Sequence, residues 1–304
     1  MIWAFVVLGL LVAGLAYWQL VVAEGAYLGA PIVALLYDWT APRYDRIKQF
    51  LGENEEWFLA RPLRQALADT PQPLILDVAT GAGRLPEALL RQPEFAGQVV
   101  GLDLSRGMLR QAQRKATTHA DRLLWLWDDA SSLPFAANLF DAVVCLEALE
   151  FMPDPRGVLD EMARVLRPGG LLLITNRVGR ESSLLPGRAF RGDDLRRALQ
   201  AVGLQGVTFN RWQVDYDQVW ARKRGWAAGA PPGPLGQRLA GHLRCPRCRT
   251  LELEPAAHGA ALTCRHCGHR VPQQANLALL HHDRFWTRLG AGPLSPDQAQ
   301  GGEA

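Results

Sequence analysis

No lysine or arginine precedes Arg43, and residues 2–23 include no charged residue at all. At a rise of about 1.5 Å per residue, a helix of this length crosses the roughly 30 Å hydrocarbon layer of a membrane. A cleavable signal peptide begins with basic residues and has a shorter apolar core, so the missing charges favour a retained anchor over cleavage. We therefore expect a single-pass transmembrane anchor at residues 1–24.

The first basic residues, Arg43, Arg46 and Lys48, all follow the predicted span. The positive-inside rule then places the rest of the chain on the cytoplasmic side. A second apolar stretch, residues 30–36, is too short to cross and is expected at the membrane interface or against the folded domain.

Cysteine is scarce, which excludes a secreted disulfide framework. Of five cysteines, Cys145 stands alone in an apolar run and the other four form two pairs with the spacing C-x2-C-x15-C-x2-C. This spacing is typical of a zinc ribbon, in which four thiolates bind one tetrahedral ion and leave no position open for catalysis. The predicted structural zinc ligands are Cys245, Cys248, Cys264 and Cys267. We expect the glycine after the second pair, Gly268, to be left-handed.

The net charge, +3, is too small to indicate nucleic-acid binding by itself. Between residues 73 and 224, short apolar runs alternate with amphipathic helical stretches, which predicts an α/β fold with a doubly wound, mostly parallel sheet. Two further β-rich runs predict an antiparallel hairpin at its edge. The other predicted segments are a helical N-terminal cap (25–72), a linker (225–240), the zinc ribbon (241–282) and a disordered tail (283–304).

The glycine-rich turn after the first strand lacks the third glycine of the dinucleotide fingerprint, because Pro86 stands there. An acid at the strand end, Asp77, further disfavours a pyrophosphate and suits a cationic or zwitterionic ligand. Gly81 and Gly83 bring bare backbone close to such a ligand. A nicotinamide oxidoreductase is correspondingly disfavoured.

Two more acidic positions follow later strands. Asp103 is placed to accept hydrogen bonds from ribose hydroxyls, although it could instead cap the next helix. Met108 follows at the start of that helix and could pack on a purine. After the third strand, Asp129 is favoured over Asp128 as an acceptor for the adenine amino group, the alternative being a turn-forming pair.

These segments, in this order, resemble class I S-adenosylmethionine-dependent methyltransferases, in the subgroup that includes the quinone-biosynthesis C-methyltransferases. The matching segments are Leu76-Asp77-Val78-Ala79-Thr80-Gly81-Ala82-Gly83, Gly101-Leu102-Asp103-Leu104-Ser105, Asp129-Ala130 with Leu133-Pro134-Phe135, Phe140-Asp141-Ala142-Val143-Val144, and Leu166-Arg167-Pro168-Gly169-Gly170. The chain departs from that family at Ala79, where glycine is usual, and in having no histidine near Phe151.

The resemblance implies an enzyme that binds S-adenosyl-L-methionine in a Rossmann-like methyltransferase domain at 73–224. The implied cofactor-binding residues are Asp77, Ala79, Thr80, Gly81, Gly83, Asp103, Leu104, Met108, Asp129, Ala130 and Glu147. No catalytic residue is assigned by it. Glu147, Glu150 and Tyr44 are candidates for a general base. Their structural alternatives are a helix-cap acid for Glu147, a surface acid for Glu150 and a core tyrosine for Tyr44.

The cysteine segment resembles small zinc-ribbon proteins that activate RNA and protein methyltransferases. An enzyme tethered to a membrane gains little on a freely diffusing substrate, so a lipid, a quinone-like molecule or a membrane protein is the expected methyl acceptor. The alternatives are an RNA or protein methyltransferase that uses the ribbon for recognition, and a non-catalytic S-adenosylmethionine-binding module.

Overall fold

The computed structural model describes residues 2–48, 52–255 and 261–281. The predicted tail, residues 283–304, lies outside the described residues. The chain begins with helix α1 (Ile2–Tyr17), which continues through a π-helical segment at Trp18–Val22. Together they form 21 residues of apolar helix, long enough to cross a membrane, with none of the segment buried against the protein. The predicted apolar segment is therefore a helix of membrane-spanning length.

Helices also fill the region between α1 and the sheet. Helix α2 (Ala30–Thr40) has Pro31 in its first turn, where the fixed φ and missing N–H of proline are tolerated. The shorter helices are α3 (Tyr44–Lys48), α4 (Gly52–Glu55) and α5 (Arg61–Ala66), with a π-helical segment at Glu56–Ala60 before α5. The second apolar stretch, 30–36, thus belongs to a helix that packs on the folded domain.

The central sheet is mostly parallel, as predicted. Its parallel strands are β1 (Leu74–Val78), β2 (Gln98–Asp103), β3 (Leu123–Trp127), β4 (Phe140–Cys145) and β5 (Leu166–Arg177). Their order is β5-β4-β1-β2-β3. Every residue of β1 and β4 is buried, because both faces of the sheet are covered: Leu74 and Leu76 face one apolar cluster and Ile75 faces the other.

Helices connect the strands, and side-chain caps fix where two of them start. The helices are α6 (Arg84–Leu90), α7 (Arg106–Lys115), α8 (Pro155–Val165), α9 (Gly179–Ser182) and α10 (Gly192–Ala201). Ser105 caps α7 by accepting a hydrogen bond from the Met108 amide, and Asp154 caps α8 by accepting one from Gly157. These caps hold the helix starts next to the carboxyl ends of the strands.

The predicted edge hairpin is confirmed. Strands β6 (Leu204–Arg211) and β7 (Tyr216–Lys223) are antiparallel, and β7 pairs antiparallel with β5.

The C-terminal part of the chain continues the sheet on its other side. It contains α11 (Leu235–Leu239), β8 (Leu253–Pro255), β9 (Ala261–Cys264), β10 (Arg270–Gln274) and β11 (Leu277–Ala278). Strand β11 pairs in parallel with β3, so that one sheet runs β6-β7-β5-β4-β1-β2-β3-β11-β10-β9-β8. The segment predicted as a linker, 225–240, includes α11, whose buried Arg238 donates to Gln98 over 3.0 Å. The cysteine segment therefore shares its core with the sheet.

Candidate functional site

A cleft that opens to solvent lies at the carboxyl ends of β1 to β4 and beneath α2. Parallel strands end at the same edge of a sheet, so loops that are distant in sequence meet there. The lining comes from α2, from the turns after β1, β2 and β3, and from the segment after β4: Ala30, Val33, Ala34, Tyr37, Tyr44, Ala79, Gly81, Leu102, Asp103, Leu104, Ser105, Asp128, Asp129, Ala130, Ser131, Leu146, Glu147, Ala148, Phe151, Met152, Pro153, Asp154 and Val158.

The turn after β1 forms one wall of the cleft. Asp77 is buried and accepts a hydrogen bond of 2.6 Å from the Thr80 hydroxyl. Burial raises the pKa of Asp77 to about 7, although the Thr80 bond and Arg84 oppose the shift. Asp77 and Thr80 line a small recess beside the cleft. With this pKa the Asp77 carboxyl is partly protonated near neutral pH, and a cationic ligand would favour its ionised form.

Ala79, where the related family usually has glycine, has a φ of 54°. This left-handed conformation costs a residue with a Cβ roughly 1 kcal/mol or more. The alanine thus keeps the backbone shape of the glycine turn at the expense of local strain.

The two glycines of the turn have different tasks. Gly81 lines the cleft, and its amide donates to Asp103 over 2.7 Å. Gly83 instead lies where a Cβ would come within 2.9 Å of the Ala112 Cβ and 3.0 Å of Trp125. Gly81 therefore shapes the site, whereas Gly83 permits α6 to pack closely on α7 and β3.

Asp103, at the end of β2, is half-buried and faces the cleft. Its Oδ2 accepts from the Gly81 amide and its Oδ1 from the Ser105 amide, each at 2.7 Å. Burial raises the pKa of Asp103 to about 6, against the opposing effect of these backbone bonds. Since each carboxylate oxygen has two lone pairs, both remain able to accept a further bond from a ligand hydroxyl.

The predicted adenine side forms the opposite end. Asp128, Asp129 and Ala130 all line the cleft, and Asp129 also accepts from the Ser131 amide over 2.8 Å. Leu104 lines it too, but Met108 does not. Met108 is fully buried in a small cluster with Ala41 and Ala82, packed against Tyr37 and Tyr44.

The three candidate bases differ in position. Tyr44 lines the cleft, and burial raises its pKa. Glu147 also lines it, but its carboxylate accepts two bonds of 3.0 Å from Arg84, which itself lies 3.3 Å from Glu55. Glu150 is buried outside the lining. There it accepts from the Tyr216 hydroxyl and lies 3.5 Å from Arg177.

Sequence reasoning missed the contribution of α2. Ala30, Val33, Ala34 and Tyr37 all line the cleft. Their spacing, i, i+3, i+4 and i+7, is that of one helix face, and could have identified it. Asp38, which follows Tyr37 on α2, accepts bonds of 2.6 Å from the Ser105 hydroxyl and 2.7 Å from the Gly107 amide. This contact fixes α2 to the start of α7.

The four paired cysteines form a second candidate site. Their sulfur atoms all lie within 4.8 Å of one another. The Cys245–Cys267 and Cys248–Cys264 sulfurs are 3.7 and 3.5 Å apart, close to the roughly 3.8 Å that a tetrahedral ion with Zn–S bonds of about 2.3 Å requires. The residue after each second cysteine is left-handed, with φ of 66° at Arg249 and 69° at Gly268, the latter as predicted. The geometry fits a closed, four-thiolate zinc site.

The cysteine segment contacts the loop that follows β3. The Arg249 guanidinium donates to the Ser132 hydroxyl over 2.9 Å, and the Arg244 amide donates to the Pro134 carbonyl over 2.9 Å. Beyond β11, His281 lies 3.8 Å from Asp128 and packs edge-on against Trp127. The segment therefore supports the end of the cleft that holds Asp128 and Asp129.

Comparison with known proteins assigns the class. A family model described as a methyltransferase domain matches residues 76–174, which include the turns after β1, β2 and β3. Among solved structures, the [4+2]-cyclase SpnF superposes with a TM-score of 0.54 at 20% identity, covering 65% of this chain and 97% of that chain. Fold and cleft together are those of a Rossmann-like, S-adenosylmethionine-dependent methyltransferase.

Curated relatives narrow the family. The demethylmenaquinone methyltransferase of Renibacterium salmoninarum is 34% identical over 172 residues, covering 56% of this chain and 68% of the relative. That of Corynebacterium urealyticum is 35% identical over 171 residues, covering 56% and 69%. The chain therefore belongs to the S-adenosylmethionine-dependent methyltransferases of this group. Another relative, the demethylmenaquinone methyltransferase of Lactiplantibacillus plantarum, is 37% identical over 45% of this chain. The chain spans 59% of that relative's length.

Proposed function

We propose that this methyltransferase is a single-pass membrane protein that methylates a ring carbon of a quinone-like lipid at the cytoplasmic membrane face. The relatives named demethylmenaquinone methyltransferases support the acceptor class. The observation that carries the membrane assignment is the direct connection between the end of the apolar helix and the wall of the cleft.

Hydrogen bonds make this connection. The Trp18 indole donates to the Leu184 carbonyl over 3.0 Å, and the Tyr27 hydroxyl donates to the Pro186 carbonyl over 2.9 Å. The two rings stack with centroids 5.2 Å apart. Arg188 then joins both sides, because its guanidinium donates to the carbonyl of Ala26 and to that of Met152, a residue of the cleft wall.

Apolar side chains dominate the cleft beside this connection. Ala30, Val33 and Ala34 of α2 face Phe151 and Met152 across it. On the outer side of α2 and in the adjoining loop, Leu28, Leu35, Trp39 and Leu184 are exposed. If α1 spans a bilayer, these side chains lie at its interface, where apolar and aromatic groups are favourable. A lipid acceptor could then reach the cleft without crossing water.

The polar half of the cleft is proposed to hold the cofactor, which supplies a methyl group already activated on a sulfonium. Asp103 is placed to accept from the ribose hydroxyls, and Asp129 with Ala130 to hold the adenine. Asp77 and the turn that follows it would hold the methionine end. The protein then contributes mainly position and alignment.

We also propose that the four cysteines bind one structural zinc. The ion would fix the two cysteine turns and, through Arg244 and Arg249, the loop after β3. The methyl donor and reduced thiols are cytosolic, which agrees with the cytoplasmic placement that Arg43 and Arg46 favour.

The test uses the full chain reconstituted into vesicles that contain demethylmenaquinone kept in its reduced, hydroxylated form, with the methyl group of S-adenosylmethionine radiolabelled. Label should enter the extracted quinone, and protease added on the cofactor-accessible side should digest the folded domain. Label found in RNA or protein offered under the same conditions, with none in the quinone, would overturn the acceptor class. Full recovery of the protein in the soluble fraction would overturn the anchor.

A further inference from the structure

We propose that Tyr37 and Glu24 form a proton relay that deprotonates the acceptor hydroxyl. The inference rests on the proposed methylation of a ring carbon, because that carbon becomes nucleophilic when the neighbouring ring hydroxyl loses its proton. Neither residue belongs to the motifs that resemble the methyltransferase family.

The relay begins inside the cleft and ends outside it. The Tyr37 side chain lines the cleft, and its hydroxyl donates a hydrogen bond to Glu24 Oε2. Glu24 does not line the cleft and is partly exposed to solvent. A proton taken from a bound acceptor could therefore leave the site through these two side chains.

The backbone holds Glu24 in an unusual conformation. Its φ is 48°, in the left-handed region that residues with a Cβ rarely adopt. It lies in the turn between the apolar helix and α2, where the following Gly25 and Ala26 are tied to Gln19 and Ala23 by backbone bonds of 2.8 Å. Strain of this kind concentrates at functional sites and supports a role beyond connecting two helices.

Other acids of the cleft are already engaged. Both Arg84 nitrogens that face Glu147 donate to its carboxylate. Asp103 accepts two backbone amides, and Asp154 caps α8. Glu150 lies outside the lining. The Tyr37–Glu24 pair joins the apolar part of the cleft, where the acceptor ring is proposed to bind, to a carboxylate.

The charges around Tyr37 favour transfer over storage of the proton. Burial raises the pKa of Tyr37 well above its usual value, and the electrostatic influence of Glu24, Tyr44 and Glu150 raises it further. Tyr37 thus stays a neutral phenol, which can accept a proton only while it passes its own to Glu24.

Methyl transfer begins with the loss of the acceptor's hydroxyl proton. The acceptor O–H bond breaks and its proton moves to the Tyr37 oxygen, while the Tyr37 proton moves to Glu24 Oε2. The freed electron pair makes the neighbouring ring carbon nucleophilic. That carbon bonds to the methyl group as the methyl–sulfur bond breaks, with both electrons remaining on sulfur. The proton on that carbon then moves to the ring oxygen, which restores the aromatic hydroxyl, so the proton passed to Glu24 is the one proton released per methyl transferred.

The variants are Tyr37→Phe and Glu24→Gln, with Tyr17→Phe as the matched control, since the Tyr17 side chain is exposed and does not line the cleft. The full chain in vesicles is assayed with the reduced, hydroxylated quinone. Both relay variants should lose about 100-fold or more in kcat, with KM and calorimetric S-adenosylmethionine affinity near wild type. An acceptor with a more acidic hydroxyl should restore most of the rate, whereas the control should behave as wild type.

A binding measurement distinguishes this inference from the proposed function. Wild type should bind 1-naphthol about tenfold more tightly than 1-methoxynaphthalene, because only the former donates to Tyr37. Tyr37→Phe should abolish that preference and Tyr17→Phe should keep it. The preference would persist even if the quinone proved to be the wrong substrate. Three results would overturn the relay: wild-type rates in both relay variants, a loss of kcat that the acidic acceptor does not restore, or a preference for 1-naphthol that Tyr37→Phe leaves unchanged.

Discussion

Replacing Asp103 by alanine should separate its two contributions, to the apo fold and to cofactor binding. The carboxylate accepts the Gly81 and Ser105 amides at 2.7 Å each. Losing two such bonds should lower the free energy of unfolding by about 2 kcal/mol. Charge-assisted bonds to ribose hydroxyls should be lost as well, at about 1–3 kcal/mol, which weakens S-adenosylmethionine binding by about 5- to 150-fold.

Urea unfolding measures the first effect, and calorimetry with S-adenosylmethionine and its demethylated product measures the second. Asp69→Ala is a suitable control, because Asp69 is exposed and does not line the cleft. The wild-type affinity should also decrease as the pH falls below about 6, the raised pKa of Asp103, because a protonated carboxyl accepts fewer hydrogen bonds. The variant should lose the part of this dependence that centres near pH 6, whereas the part due to Asp77, whose pKa is raised to about 7, should remain.

One outcome would refute a role of Asp103 in cofactor binding. If Asp103→Ala bound both compounds with wild-type affinity while losing the expected stability, Asp103 would serve only to organise the turn. Its geometry would then be structural, and the ribose would have to be held elsewhere in the cleft.

Substitutions at Cys264, Asp77 and Ala79 should test three other features of the structure. Cys264→Ser should abolish a zinc content of about one equivalent by elemental analysis and should also lower the melting temperature of the whole chain, since β11 extends the main sheet; zinc loss with unchanged melting would contradict this. Folding raises the pKa of Asp77 from 3.8 to about 7, so ionisation of Asp77 should lower the stability of the wild type as the pH rises through that window. In urea titrations, the stability of Asp77→Asn relative to wild type should therefore grow from about pH 4 to pH 7 and then level off. Ala79→Gly should raise the free energy of unfolding by up to about 1 kcal/mol by relieving the left-handed alanine, while Ala88→Gly, inside α6, should lower it; a loss of stability in Ala79→Gly would show that its methyl group is needed for packing.

Local sequence pattern alone determined the parallel strands, the cysteine cluster and the position of the cleft. The strands at 74–78 and 123–127 coincide with short apolar runs of the sequence, because a run of buried apolar residues in a parallel sheet can be recognised without distant information. The cysteine spacing likewise predicted the cluster, since each pair forms one tight turn. The order of the turns after β1, β2 and β3 predicted the cleft, because parallel strands deliver their carboxyl ends to one edge.

Packing across the sheet decided the rest. Met108 matched the pattern of a ligand-facing residue, yet the rotation of α7 turns it into a closed apolar cluster. Glu147 and Arg84 are 63 positions apart in the chain, and only the fold brings them within 3.0 Å of each other. The same holds for β11, whose two residues show no strand pattern of their own and form a strand because β3 offers an unpaired edge. Short-range periodicity fixes which residues are buried in an element, whereas contacts between elements depend on how helices rotate and which edges meet, and those are settled only when the whole core packs.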